Sequence, residues 1–322
     1  MPPRVGGARR SAFAPRPQER SSMTTKDVPP PLARAVIDRA ADERLDEGLL
    51  TRIQQDADTR VLLLHGDRAP LDGHFALQWL SPDAVPGDAV WAFLGRDAEA
   101  RAVALAALPA SAGEPAVNAA EWGSLRVIGG DLDPDDAGRV VQGLSLARWL
   151  LDAPFCPACG GATEIQQAGW SRRCVVCGRQ HFPRTDPAVI VAVASADGER
   201  LLLGRNAAWG DIPVYSTFAG FVEAGESLET TVEREVAEEA GVRLDRIVYR
   251  GSQAWPYPRS LMLGFTAYAV ADDEARPDGE EILDVRWFTR AEIREALAGR
   301  ADVRLPGSAS IARSLILRWV GE

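Results

Sequence analysis

Residues 233–242, EREVAEEAGV, carry four carboxylates in ten positions. Glu235 and Glu239 are four apart and Glu235 and Glu238 three apart, so on a helix they share one face. Like charges at that spacing repel, by about 0.2–0.5 kcal/mol per pair. Solvent, arginine or a metal ion must offset that repulsion. Leu228, Val232, Val236 and Ala240 form an adjoining apolar stripe, which sets the acidic face beside a core rather than in open water. Carboxylates grouped at a core edge suit a hard divalent cation, Mg²⁺ or Mn²⁺, of the kind that binds through a few carboxylates plus substrate phosphates. A solvated charged helix, with Arg234 pairing Glu238 at i,i+4, accounts for the spacing equally well.

The second cluster is sulfur. Cys156, Cys159, Cys174 and Cys177 form C-x2-C, fourteen residues, C-x2-C. Each pair aims two thiolates at one point, and Gly160 and Gly178 relieve the backbone just after them. Four thiolates satisfy tetrahedral zinc and leave no open position, so this Zn²⁺ is read as structural, one per chain. A zinc ribbon that grips nucleic acid is the rival reading, kept open by Arg172, Arg173, Arg179 and Arg184 nearby.

The wider stretch from Gly220 to Val242, GFVEAGESLETTVEREVAEEAGV, fits G-x5-E-x7-R-E-U-x-E-E-x-G-U, where U is aliphatic. Gly220, Glu226, Arg234, Glu235, Val236, Glu238, Glu239, Gly241 and Val242 all match, and the stretch is identified as a Nudix box. The resemblance implies an α/β (α+β) fold, a Nudix α/β/α sandwich with a mixed sheet, and hydrolysis of a pyrophosphate bond. It implies Glu235, Glu239 and the Ala219 carbonyl as ligands of Mg²⁺ or Mn²⁺, and Glu238 as a further ligand or a residue that orients water. Arg234 and Glu226 would pair and hold the loop. The chain has three histidines, none near the box, so a carboxylate or metal-activated water is the more credible base.

Ten residues beyond the box, SQAWPYPRS (252–260) reads as a stiff loop. Pro256 and Pro258 restrict Trp255 and Tyr257 to extended conformations, which suits two aromatics to stack on a planar ring. Ser252, Gln253 and Ser260 could hydrogen-bond a base, amide or ribose. Taken alone, a Pro-rich loop that packs its aromatics on its own core is the better reading. The stretch is similar to the S-Q-P-W-P-F-P-x-S motif of the NADH pyrophosphatase branch, with Ala254 for the first proline and Tyr257 for phenylalanine. That branch also carries a zinc ribbon and a preceding N-terminal domain. The resemblance further implies Phe182 as a substrate-stacking residue, Glu281 as a metal or substrate ligand and Ala312 as a substrate contact. It implies NAD(H) as substrate, AMP and nicotinamide mononucleotide as products, and a homodimer whose sites are shared between subunits. Removal of NAD caps from RNA is a separate reading, motivated by the same four arginines. ADP-ribose or a dinucleoside polyphosphate is the alternative substrate, with Ala254 and Phe182 as its grounds.

These residues need elements to position them. VLLLH (61–65), HFALQWL (74–80), AVWAFLG (89–95) and RAVALAAL (101–108) read as strands between turn residues. Asp133-Pro134 opens a helix. PAVIVAVASADGERLLLGRN reads as a hairpin around Asp197-Gly198. Ser227 and Gly241 bracket the acidic helix, LMLGFTAYAV and DVRWF are strands, and RAEIREALAG and SIARSLILRWV are closing helices. The chain divides into a disordered tail at 1–31, an N-terminal α/β domain at 32–152, a zinc ribbon at 153–185 and a Nudix domain at 186–322. His65 and His74 read as isolated core groups.

Bulk properties bound the rest. The 322 residues are 46% hydrophobic and 25% charged, with net charge −10, so the whole molecule does not attract nucleic acid or anionic membrane non-specifically. No stretch approaches the ~18 apolar residues of a membrane span. The first thirty residues hold five Arg against two acids and lack the apolar segment of a secretory signal. The protein is read as cytoplasmic, with a transit peptide as the lesser alternative and Met23 as a second candidate start.

Overall fold

The structure, a computed structural model, describes residues 28–73 and 76–321. The tail expected at 1–31 therefore falls mainly outside the described residues, as does His74.

The N-terminal sheet has the order β3-β4-β1-β2-β5, built from β1 (Arg60–His65), β2 (Arg68–Leu71), β3 (Val90–Arg96), β4 (Ala102–Leu108) and β5 (Glu121–Ser124). β1 runs parallel to β4 and antiparallel to β2, so the sheet is mixed. Alternation sends Leu62, Leu64, Val103 and Leu105 to one face, where they meet Val140, Leu144 and Ala147 of a long helix. Val61, Leu63, Ala106 and Leu108 go to the other. The long helix spans Pro134–Asp152, with Asp133 capping it by accepting from the Asp135 amide and Pro134 at its first position. Residues 76–80 are not a strand. Leu77 and Leu80 make only isolated bridges, to Leu71 and Val61, so the apolar alternation there serves core anchoring rather than a ladder.

A three-stranded ribbon follows, β6 (Thr163–Gln166), β7 (Ser171–Cys174) and β8 (Gln180–His181). It is pinned to the N-terminal domain: Trp170 Nε1 donates to the Phe93 carbonyl at 2.7 Å, and Arg172 Nη2 to the Leu150 carbonyl at 3.0 Å.

The C-terminal sheet has β9 (Asp186–Ala194), β10 (Arg200–Asn206), β11 (Phe218–Phe221), β12 (Leu244–Trp255), β13 (Ser260–Ala269) and β14 (Ile282–Thr289). The order is β12-β13-β9-β10-β14, with β11 paired to β9, and only β13–β9 is parallel. Strand β9 shows why this becomes a sandwich. Val189, Val191 and Val193 face Val232, Val236 and Ala240 of the acidic helix, Leu228–Ala240. Ile190, Ala192 and Ala194 face Ile311, Leu315 and Ile316 of the last helix, Ile311–Gly321. A strand apolar on both faces needs a helix on each side. Ser227 caps the acidic helix and Gly241 ends it at φ +67°, as the sequence predicts.

The stretch read as a loop at 252–260 is otherwise. Ser252 to Trp255 belong to β12 and Ser260 starts β13, with Trp255 paired to Ser260 across the ladder. Only 256–259 turn. Cross-strand pairing through Gln253↔Met262 and Ala254↔Leu261 carries the register to the tip, a long-range effect that the prolines concealed.

Candidate active site

β11 delivers Ala219 and Gly220 to one wall of a cavity of ≈ 380 Å³, the acidic helix delivers Arg234 and Glu235 to another, and Ser260, Met262 and Glu281 close it. The approach is tight. A Cβ on Gly220 would lie 1.9 Å from Cδ of Glu235, so the absence of a side chain at 220 is what leaves the carboxylate room in this position. Glu281 is set by a turn in which Asp278 Oδ1 accepts from the amides of Glu280, Glu281 and Ile282 at 2.9–3.1 Å. Asn206 Nδ2 then donates to Glu281 Oε1 at 3.1 Å.

Arg234 organises the acids. It binds Glu226 bidentately, Nε to Oε1 at 2.7 Å and Nη2 to Oε2 at 2.9 Å. Its Nη1 reaches Glu235 at 2.9 Å and Glu238 at 3.1 Å, and Nη2 also donates to the Phe221 carbonyl at 3.0 Å. The arginine pairing that the sequence left open against metal is therefore present. It holds Glu226 down to about 2, and Glu226 in turn raises Arg234. It does not reach Glu239.

Glu239 is 5% exposed, and its Oε2 has no hydrogen-bond partner. Burial, and then the charges of Glu281 and Glu235, push it up to about 8. Burial likewise raises Glu235, against the pull of Arg234. The Ala219 amide donates a hydrogen bond to the Glu239 carboxylate and lowers it only in part. A buried carboxylate with one oxygen unpartnered, beside two more, is costly unless a cation joins them. The donor set is all oxygen, which fits a hard divalent ion and gives the offset that arginine leaves incomplete. Glu238 is exposed and does not line the cavity.

The four cysteine sulfurs all lie within 4.8 Å of one another, a fit for tetrahedral zinc. The Val176 and Cys177 amides each donate to Cys174 Sγ at 3.4 Å, and that hydrogen bonding holds Cys174 down to about 6. His181 Nε2 lies 3.2 Å from Cys156 Sγ, a neighbour the cysteine spacing gave no sign of.

The residues expected to contact substrate separate into groups. Ser252, Gln253 and Ser260 line a second cavity, and Ser260 lines both. Gln253 is 2% exposed with its amide engaged, Nε2 to the Ala309 carbonyl at 3.0 Å and Oε1 from the Leu32 amide at 3.4 Å. It ties segments together instead of facing a ligand. Trp255 and Tyr257 meet at a tilt of 55°, ring centroids 5.1 Å apart, and pack on the N-terminal core, with Arg126 3.8 Å over the Tyr257 ring and its amide donating to Tyr257 Oη. Pro256 is buried, and neither it nor the two aromatics lines either of these two cavities. This is the own-core packing that the loop taken alone pointed to. Ala312 lies in the first turn of the last helix, on the face buried in the core. Phe182 is 43% exposed and lines neither cavity. Phe221, missed in the sequence reading, is 55% exposed at the acidic cavity, one position after the glycine that fixes it there. Arg172 is buried beneath the ribbon and unavailable to RNA, whereas Arg173, Arg179 and Arg184 are exposed. Its alternation on β7 faces it inward.

Residues 184–306 match the family model of the NUDIX domain, and residues 152–182 that of the NADH pyrophosphatase zinc ribbon domain. The NAD-capped RNA hydrolase NudC of Mycobacterium tuberculosis is 40% identical over 275 residues, covering 83% of this chain and 85% of that one. The human NAD-capped RNA hydrolase NUDT12 is 39% identical over 199 residues, 59% of this chain and 43% of the human protein. A solved NUDIX hydrolase from Nitrosomonas europaea is 25% identical over 47% of this chain and 96% of its own, with a TM-score of 0.36. With the Nudix box folded around its acidic cavity and the four-cysteine ribbon in front of it, the chain belongs to the Nudix hydrolases, in the branch that carries the NADH pyrophosphatase zinc ribbon.

Proposed function

We propose that the protein hydrolyses the pyrophosphate bond of NAD(H), giving AMP and nicotinamide mononucleotide, reduced or oxidised, and removes the same group from NAD-capped RNA. The observation that carries this reading is the buried Glu239 carboxylate, with one oxygen unpartnered and the charges of Glu235 and Glu281 acting on it, in a chain 40% identical to an NAD-capped RNA hydrolase.

The residues proposed to hold Mg²⁺ or Mn²⁺ are Glu235, Glu239, Glu281 and the Ala219 carbonyl. The ion would supply charge neutralisation for the diphosphate and acidify water. The chain's own groups do the positioning. Arg234, locked by Glu226, fixes the loop and the Glu235 carboxylate. Glu238, on the solvent side, orients the attacking water and takes its proton. Ser260 and Ser252 contact the substrate beyond the diphosphate, and Phe221 offers it an aromatic face. Gln253, Trp255, Pro256 and Tyr257 act by bracing the hairpin in this conformation. Ala312 supports the floor from beneath. Phe182 is exposed and lines neither cavity of its own chain, which supports a homodimer in which it serves the partner's site. The domain boundaries at 152/153 and 185/186, one structural Zn²⁺ on the four cysteines and a cytoplasmic location complete the reading. Among the described residues no helix is long and apolar enough to cross a membrane.

Chromatography of NADH incubated with enzyme and Mg²⁺ or Mn²⁺ tests it, with AMP and reduced nicotinamide mononucleotide expected. Absence of AMP with either ion, alongside tight RNA binding, would favour the nucleic-acid binder instead. Faster turnover of ADP-ribose or a dinucleoside polyphosphate in competition would reassign the substrate.

A further inference from the structure

A second cavity of ≈ 450 Å³ adjoins the acidic one, within the range of about 300–1,000 Å³ usual for small-molecule sites. Three parts of the chain meet around it: the N-terminal segment and long helix (Arg39, Gln142), the exit of the ribbon (Arg184), and the hairpin (Ser252, Arg259, Ser260). Ser260 lines both cavities, so they adjoin at this residue.

Their electrostatics are opposite. The first is walled by Glu223, Glu235 and Glu281 with one arginine. The second is lined by Arg39, Arg184 and Arg259 and, among the described residues, by no Asp or Glu. That bias stands out in a chain whose acids outnumber its bases 46 to 36. Arg259 is paired with Asp186 at 2.8 Å, while Arg39 and Arg184 have no carboxylate partner among the described residues. A second observation points the same way. Gln142 is 5% exposed; its Nε2 donates to the Leu94 carbonyl at 2.8 Å, but its Oε1 has no partner. A buried amide oxygen left unsatisfied is a place for a donor to arrive. Ile37, Val141 and Leu261 give the cavity apolar wall for a ring.

The acidic cavity takes a diphosphate together with cations. The basic cavity attracts an anion without them. A substrate that fills both must carry an anionic group beyond its diphosphate. NAD(H) has none; RNA capped by NAD has a phosphodiester on the 3′ side of the adenosine. We propose that this second cavity is the subsite for the first nucleotide downstream of the cap adenosine, with Arg39 and Arg184 on its phosphate and Gln142 accepting from its base or ribose. The proposal rests on the diphosphatase reading above and extends it to the RNA body.

The test uses the full-length double variant Arg39→Ala, Arg184→Ala. Its kcat/KM on NADH is expected to stay within about twofold of wild type, which also reports an intact fold, while kcat/KM on a short NAD-capped RNA falls about tenfold to a hundredfold, the effect of losing one or two hydrogen bonds to a charged group. The loss should sit in KM and flatten the salt dependence. Equal losses on both substrates, or no loss on RNA, would overturn the subsite. Binding provides the separate arm: by calorimetry, wild type should bind the dinucleotide pApA at least about tenfold more tightly than AMP, and the double variant should bind the two alike. Equal wild-type affinities overturn the subsite even where NADH is hydrolysed. Failure to form AMP from NADH overturns the diphosphatase reading whatever pApA does.

Discussion

The carboxylate of Glu235 occupies the space that any side chain on Gly220 would need, with Cδ only 1.9 Å from the position of a Cβ. A strand residue and a helix residue fifteen positions apart thus share one site wall. Gly220→Ala should force the flexible carboxylate aside while β11 keeps its pairing to β9. The expected result is an unchanged circular dichroism spectrum with roughly ten- to a hundredfold weaker metal dependence of NADH hydrolysis, as for displaced ligands generally. A wild-type metal titration would show that the contact has no functional weight.

Glu239→Gln removes the charge and keeps the shape. It should lower kcat by roughly two orders of magnitude or more, as for loss of a group that stabilises charge in the transition state. The same variant should melt higher than wild type in EDTA at pH 8.5, because a buried carboxylate with one oxygen unpartnered is replaced by a neutral amide whose oxygen can still accept from the Ala219 amide. Lower melting in EDTA would mean that the charged carboxylate is stabilised without metal by more than its bond from the Ala219 amide.

The pH dependence follows from two opposite shifts. Glu239 stands at about 8 against an ordinary 4.5, so between those values the folded chain keeps a proton that the unfolded chain has lost. Metal-free stability should fall as pH rises through that window and level off above it. A divalent ion needs the deprotonated form, so the rise in Tm on adding Mg²⁺ should grow with pH and proton release should accompany binding. Glu226, held at about 2 by Arg234, contributes stability that is present above 4.5 and lost as pH falls toward 2. Thermal melts across pH with EDTA or Mg²⁺ check both, and a Mg²⁺ effect independent of pH would contradict the first.

Zinc should stabilise more than the ribbon. Trp170 and Arg172 donate to the Phe93 and Leu150 carbonyls, so loosening the ribbon withdraws partners from the N-terminal domain. Cys174→Ser is expected to reduce zinc below one per chain by mass spectrometry and to cost several kcal/mol in denaturant unfolding. Full stability with no zinc bound would exclude a structural metal.

Gln253→Ala distinguishes a brace from a ligand contact. It leaves the Ala309 carbonyl without its donor, at a cost of about 1–3 kcal/mol in unfolding free energy. A raised KM for NADH with unchanged stability would instead make Gln253 a direct contact.

Much of this molecule was written in short-range patterns. The box glutamates share a face because the helix repeat puts them there. Ser227 and Gly241 end that helix by local capping, and the cysteine knuckles close by spacing alone. The apolar run of β9 was legible as one strand of a hairpin, which its antiparallel pairing to β10 bears out, while the helix on each of its faces came from the packing. What the sequence could not supply depended on long-range pairing. Residues 76–80 alternate like a strand but find no ladder, and 252–255 look like a Pro-rich loop yet pair with 260–263. Burial was decided the same way. Arg172 lies under the ribbon, Gln253 is locked between segments, Tyr257 is covered by Arg126, and Glu239, of four similar glutamates, is the buried one, with one oxygen left unpartnered. Periodicity fixes which side of an element a residue occupies; only the packing of distant segments fixes what that side meets, and so which charges lose their water.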